Sequence, residues 1–249
     1  MELVYLIATG FFAGIVGSLL GLGGGIILVP ALTLIFGLPM TEAVGTSLMG
    51  VVAVSTAAAI DFLKSGRADL ELGLTLETLT ALGALSGGLL AAVIATRSLY
   101  ILFGIVLLYA AFNMIRSRNR LIENEKAIYP KNKEIGLGLS FAAGNVSGLL
   151  GIGGGVMKVP LLNLVMGVPL KIATATSSYM IGITAATASI IYLVRGDVDF
   201  YKAAPIILGI FFGSRLGASF SYRIDAFTLR LLFVAILLYT AYKMISTGF

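Results

Sequence analysis

The segment Leu19–Pro30, LLGLGGGIILVP, returns almost letter for letter as Leu149–Pro160, LLGIGGGVMKVP. The second copy follows the first by 130 residues, and that offset holds without a gap nearly to the end of the chain. Phe11 falls on Phe141, Ala13 on Ala143, Gly14 on Gly144 and Pro30 on Pro160. FGLP (Phe36–Pro39) falls on MGVP (Met166–Pro169), Asp69 on Asp199, and LLYAAFNMI (Leu107–Ile115) on LLYTAYKMI (Leu237–Ile245). A chain written this way folds as two copies of one unit. The expected division is a first repeat over residues 1–115, a polar linker over 116–134, and a second repeat over 135–249.

Composition decides the solvent of that unit. The chain is 58% hydrophobic and only 12% charged, against about 25% charged residues in a typical soluble domain. Each repeat divides into five apolar segments. In the first they are Leu3–Leu20, Ile26–Phe36, Ala43–Leu63, Leu72–Ala95 and Leu99–Ile115; in the second, Ile135–Leu150, Val156–Met166, Ile172–Val194, Ala203–Tyr222 and Phe227–Ile245. The second segment of each repeat is too short to cross a bilayer, which takes roughly 20 helical residues. It lies between the glycine cluster and a Gly-x-Pro turn. The fold class expected is an all-α polytopic membrane protein of two gapless repeats, each with a short, glycine-broken helix. The first segment lacks the basic flank and the small-residue cleavage pattern of a signal peptide, so it is expected to be a span.

Charge placement orients the repeats. The basic residues Arg116, Arg118, Arg120, Lys126, Lys131 and Lys133 alternate with Glu123, Glu125 and Glu134 in the linker. That mixture suits a cytoplasmic loop rather than a nucleic-acid-binding arm, and so it turns the net charge of +5 into a topology signal. With the linker inside, Lys64 and Arg67 also fall inside, while Glu42 and Arg97 fall outside. In the second repeat Lys171 and Arg223 fall inside, and the balanced set Arg195, Asp197, Asp199 and Lys202 falls outside. Nearly equivalent positions, Glu42 and Lys171, thus prefer opposite sides. The pattern predicts inverted topology with both termini outside.

Several chemistries have no residues to work with. The chain contains no cysteine and no histidine, which removes disulfides, thiol nucleophiles, haem and imidazole- or thiolate-bound zinc. GLGGGI lacks the G-x-G-x-x-G spacing, and GIGGGVMK lacks the Walker spacing. No enzymatic activity, cofactor or metal is expected.

The glycine phrase is where function is expected. Three consecutive glycines cost about 1 kcal/mol each against alanine in a helix. In inverted-repeat transporters the substrate lies near the midplane at discontinuous helices, whose positive N-terminal ends face anions. Gly23, Gly24, Gly25 and Gly153, Gly154, Gly155 fit that placement, although small residues also serve close helix packing. Thr46–Ser47 and Thr176–Ser177–Ser178 recur just after the Gly-x-Pro turns, either as ligands or as hydroxyls bonded back to their own helix. Lys158, where the first repeat has Leu28, and Arg215, where it has Leu85, are intramembrane charges and functional candidates by default. Asn145 and Asn163 stand where the first repeat has Ile15 and Thr33. The second repeat is the more polar and cationic, which points to a small anionic substrate. Asp61 and Glu77 are the acids available if a proton or another ion is coupled to its movement.

The doubled LLGxGGGxxxVP phrase, the following Gly-x-Pro and the Thr-Ser pair resemble the sulfite exporter TauE/SafE family, over essentially the full chain. The resemblance implies a transporter in a prokaryotic inner membrane that moves sulfite, thiosulfate or organosulfonates, often outward. The residues themselves reach only a small anion. They leave open an alternating-access carrier, a passive anion channel and a carrier of a non-sulfur anion.

Overall fold

The computed structural model describes residues 1–20, 22–64, 68–116, 130–220 and 226–248. Gly21, Gly66, Arg67, linker residues 117–129 and Arg223 lie outside them, as do the side chains of Asp61, Lys64, Arg116 and Lys171. Each apolar segment becomes a helix: α1 Glu2–Leu20, α2 Gly25–Leu34, α3 Met40–Lys64, α4 Leu70–Leu90, α5 Thr96–Arg116, α6 Lys133–Leu150, α7 Gly155–Pro160, α8 Leu170–Arg195, α9 Phe200–Phe220 and α10 Ala226–Gly248. Among the described residues there is no strand, and five helices are long and apolar enough to cross a membrane: α1, α3, α4, α5 and α8.

The short helices end differently in the two halves. α2 runs through Pro30 as regular helix, whereas α7 passes at Pro160 into a π-helical turn, Leu161–Val165. Met166 N–H donates to the Leu161 carbonyl at 3.1 Å, and its counterpart Phe36 N–H donates to the Ala31 carbonyl at 3.2 Å, where Ile35 N–H also keeps the regular helical bond to that carbonyl at 3.0 Å. Both halves then finish alike. Leu38 N–H donates to the Leu32 carbonyl at 2.9 Å, and Val168 N–H to the Leu162 carbonyl, also at 2.9 Å.

Apolar side chains such as Leu74, Leu82, Leu89, Ile105, Phe112, Leu208 and Phe212 face outward, while Thr46, Ser47, Ser55, Thr80, Ser147, Thr176 and Ser177 are buried. That inside-out distribution suits lipid. There, helix association depends on close backbone approach and interhelical hydrogen bonds instead of on expelling water.

Small residues set which helices touch. α1 lies along α9 in parallel, with Gly10 and Gly14 against the backbone of Ile206 and Ile210. α6 lies along α4 in parallel, with Gly144 and Gly148 against Thr80 and Ala84. These are the same contact written twice: adding 130 to one partner and subtracting it from the other converts Gly14–Ile210 into Gly144–Thr80. Two further long pairs join equivalent helices to each other. α3 meets α8 with Gly45 against Tyr192 and Asp197 at one end and Ser55 against Gly182 at the other, so the two run antiparallel. α5 and α10 also run antiparallel, with Gly104 against Ile245 and Gly248 against Ile101. The first half therefore packs mainly on the second, as the two sides of an isologous interface do.

Candidate functional site

The site is built where the two glycine phrases meet. Gly23 and Gly24 have φ of 81° and 75°, and Gly153 and Gly154 have φ of 79° and 80°. Only glycine enters this left-handed region without a Cβ clash, and the turn it permits starts each short helix abruptly. Gly24 then accepts from the N–H groups of Ile27 and Leu28 at 3.0 Å, and Gly154 from those of Met157 and Lys158 at 3.0 and 2.9 Å.

The phrases face one another across the centre. A Cβ on Gly25 would collide with the Gly151 carbonyl and lie 2.9 Å from the Ile152 Cα. Gly23 and Gly153 both abut Val51 of α3 and Ile181 of α8, themselves equivalent positions. A narrow crevice beside the first phrase is bounded by Gly17, Ser18, Gly23, Ser55 and Ser178, and it has no room for a water molecule. A wider groove of about 550 Å³ follows α2 from Ile26 to Ile35 against α10, with Thr240 and Lys243 on its far wall.

The hydroxyls named from the sequence divide into two kinds. Thr46 accepts from the Asp199 N–H at 3.1 Å, and Thr176 accepts from the Asp69 N–H at 2.9 Å. Each ties its helix to the loop opening α9 or α4 in the other half. Ser47 Oγ donates to the Gly151 carbonyl at 3.1 Å and so braces the second glycine phrase directly. Its equivalent, Ser177, is fully buried, with no hydrogen-bond partner among the described residues. Ser178 donates to the Thr174 carbonyl at 2.9 Å, while its own carbonyl accepts from Ser55. Asn145 ties α6 to Ser86 of α4 at 2.9 Å, and Asn163 donates to the Val168 carbonyl at 2.8 Å, its Oδ1 without a partner among the described residues.

The two cations set within apolar segments have different fates. Arg215 is exposed on α9, its guanidinium 5.7 Å from the Phe211 ring centre, and is not brought to the glycine phrases. Lys158 is fully buried and passes close to Gly154, whose bare Cα leaves room for the lysine Cε and for Ser147. Its ammonium lies 3.0 Å from Glu77 Oε2 and also donates to the Thr184 hydroxyl, which in turn donates to the other carboxylate oxygen. Ser147, which lies with Lys158 against Gly154, is buried, and its hydroxyl has no partner among the described residues.

Sequence reasoning named Lys158 and Glu77 separately but missed their pairing, Thr184 and Ser147. The available signal was the offset itself. Lys158, Glu77 and Thr184 stand where the other half has Leu28, Ile207 and Val54, so three apolar positions become polar together. Among the described residues no cluster of acids suits a metal ion.

The sulfite exporter TauE/SafE family model matches residues 6–244. The chain belongs to that family. It is 28% identical to the probable membrane transporter protein YunE of Bacillus subtilis, with 100% of this chain and 99% of the relative covered. A probable membrane transporter protein of Methanocaldococcus jannaschii is 32% identical over 93% of this chain and 91% of its own length. Sulfite exporter TauE/SafE family protein 6 of Arabidopsis thaliana is 36% identical over 34% of this chain and 20% of its own. No solved structure matches. This TauE/SafE chain is therefore a multi-pass integral membrane protein of a transporter family.

Proposed function

We propose that the protein is a secondary transporter that exports a small anion (sulfite, thiosulfate or an organosulfonate) across a prokaryotic inner membrane by alternating access, and that it is not an enzyme. In this reading residues 1–115 and 135–249 are inverted repeats, the linker is cytoplasmic and both termini are outside. The observation that carries it is the meeting of the two glycine phrases. There the starts of two broken helices, the Ser47 brace and the buried Ser147 hydroxyl, which has no partner among the described residues, come together. Helix starts bring backbone N–H groups and positive dipole ends to such a place, as midplane anion sites in transporters require. The antiparallel run of α3 against α8 supports inversion, because equivalent helices of opposed repeats point in opposite directions.

A passive channel is the second reading. It needs a continuous wet path, and the crevice beside Gly23, too narrow for a water molecule, favours the carrier. Flux into proteoliposomes separates them. A carrier gives saturable sulfite uptake with counterflow, competed by thiosulfate but not chloride, and loses it when Gly24 and Gly154 are both changed to leucine. Non-saturating flux without counterflow indicates the channel. Absence of flux for sulfite, thiosulfate and methanesulfonate contradicts the sulfur-anion assignment, and wild-type flux in the double variant contradicts the site.

A further inference from the structure

We propose that Glu77 is the proton-carrying group of this transporter and Lys158 the counter-ion it shares with the substrate, so that each monovalent anion crosses together with one proton. The proposal rests on the transport reading above and deepens it.

The pair is confined to one half. Lys158 on α7, Glu77 on α4 and Thr184 on α8 form a closed, buried set, and the equivalent set in the other half, Leu28, Ile207 and Val54, is apolar. In that half Leu28 and Val54 are buried in one apolar cluster while Ile207 is half-buried, so the helices there pack without an ion pair. A buried pair of this kind is weak evidence for stability, and ionisable groups inside membrane spans mark ion and substrate paths.

Its location joins it to the anion site. The Lys158 side chain runs beside Gly154, and the Ser147 hydroxyl, without a partner among the described residues, lies against the same glycine. An anion held at the second glycine phrase therefore competes with Glu77 for one ammonium group. The groups facing the pair are few. Besides one another, α8 supplies Thr184 and, a helical turn away beside Gly73, the Tyr179 ring; α6 supplies Ser147. Among the described residues no second cation or acid adjoins either partner.

Charge balance then fixes the stoichiometry. Empty, the set holds one carboxylate and one ammonium. When a monovalent anion takes the ammonium, the carboxylate is left buried without a counter-ion, and it becomes neutral by taking a proton from water on the side the anion came from. The loaded set is again neutral, and release of the anion returns the ammonium to Glu77 and frees the proton on the other side. Such electroneutral cotransport is reversible. It runs outward when the anion gradient exceeds the opposing proton gradient.

The test uses the full chain in proteoliposomes with a pH-sensitive dye inside and methanesulfonate outside, an anion that carries no proton of its own near neutral pH. Sulfite and thiosulfate are run beside it. The expected result is lumen acidification that tracks methanesulfonate entry one for one and is insensitive to an imposed potential. Glu77→Gln should abolish the acidification. Because that variant leaves Lys158 buried alone, the combined variant Glu77→Ile, Lys158→Leu, Thr184→Val is the second arm, and it too should show no anion-linked acidification. Anion entry without acidification in the wild type overturns the proposal and leaves the transport reading standing. If no sulfur anion moves, the sulfur-anion assignment fails and infrared difference spectra between acid and alkaline pH decide the pair. A protonated-carboxyl band present in the wild type and lost in Glu77→Gln supports proton binding at Glu77, and no such band overturns it.

Discussion

The backbone N–H of Asp69 donates to the Thr176 hydroxyl at 2.9 Å, and 130 residues away in each partner Asp199 donates to Thr46 at 3.1 Å. Each bond crosses from one half of the chain to the other, fastening the loop that opens α4 to α8 and the loop that opens α9 to α3.

Removing either acceptor should therefore hurt equally. Thr46→Val and Thr176→Val each leave a backbone N–H without its partner, at a cost of about 1–3 kcal/mol. Thermal unfolding in detergent should show two similar losses, with Thr176→Ser close to wild type. An unchanged melting temperature in both valine variants would show that these bonds do not hold the halves.

Glycines in one helix should differ by what faces them. In α6, a Cβ at Gly144 would strike the Thr80 carbonyl and sit 3.0 Å from its Cα, whereas one at Gly138 meets nothing within 4 Å. Gly144→Ala should destabilise by about 1–3 kcal/mol, the usual cost of overpacking. Gly138→Ala should gain up to about 1 kcal/mol from helix propensity. Chemical unfolding of the purified protein ranks them, and a reversed order would rule out the parallel α4–α6 contact.

The buried pair makes the sharpest stability contrast. Glu77→Ala strands the Lys158 ammonium and should cost about 3–5 kcal/mol. The combined change to isoleucine, leucine and valine copies the buried Leu28 and Val54 of the other half and should be neutral or stabilising. If the combined variant unfolds as readily as Glu77→Ala, the apolar set does not fit this half.

Much of this arrangement is legible in the letters. The apolar segments and the breaks at Gly24 and Gly154 follow from length, hydropathy and the unfavourable place of glycine in a helix. Partner choice is not legible. Gly14 and Gly144 announce that a backbone comes close, but the spacing of small residues is the same whether α1 packs within its own repeat or, as it does, against α9. Lys158 and Glu77 lie 81 residues apart, and no periodicity links them. Arg215 shows the limit from the other side: a charge inside an apolar segment reads as functional by default, yet its helix turns it outward over Phe211.

The opposed orientation of the two halves is tested most directly by sided cysteine labelling, which the cysteine-free chain permits without background. Glu42 and Ile172 are equivalent positions at the starts of α3 and α8, both half-buried. With a membrane-impermeant thiol reagent on intact cells, Glu42→Cys should label from outside and Ile172→Cys only after permeabilisation. Labelling of both from the same side would contradict inverted repeats and the central anion site built on them.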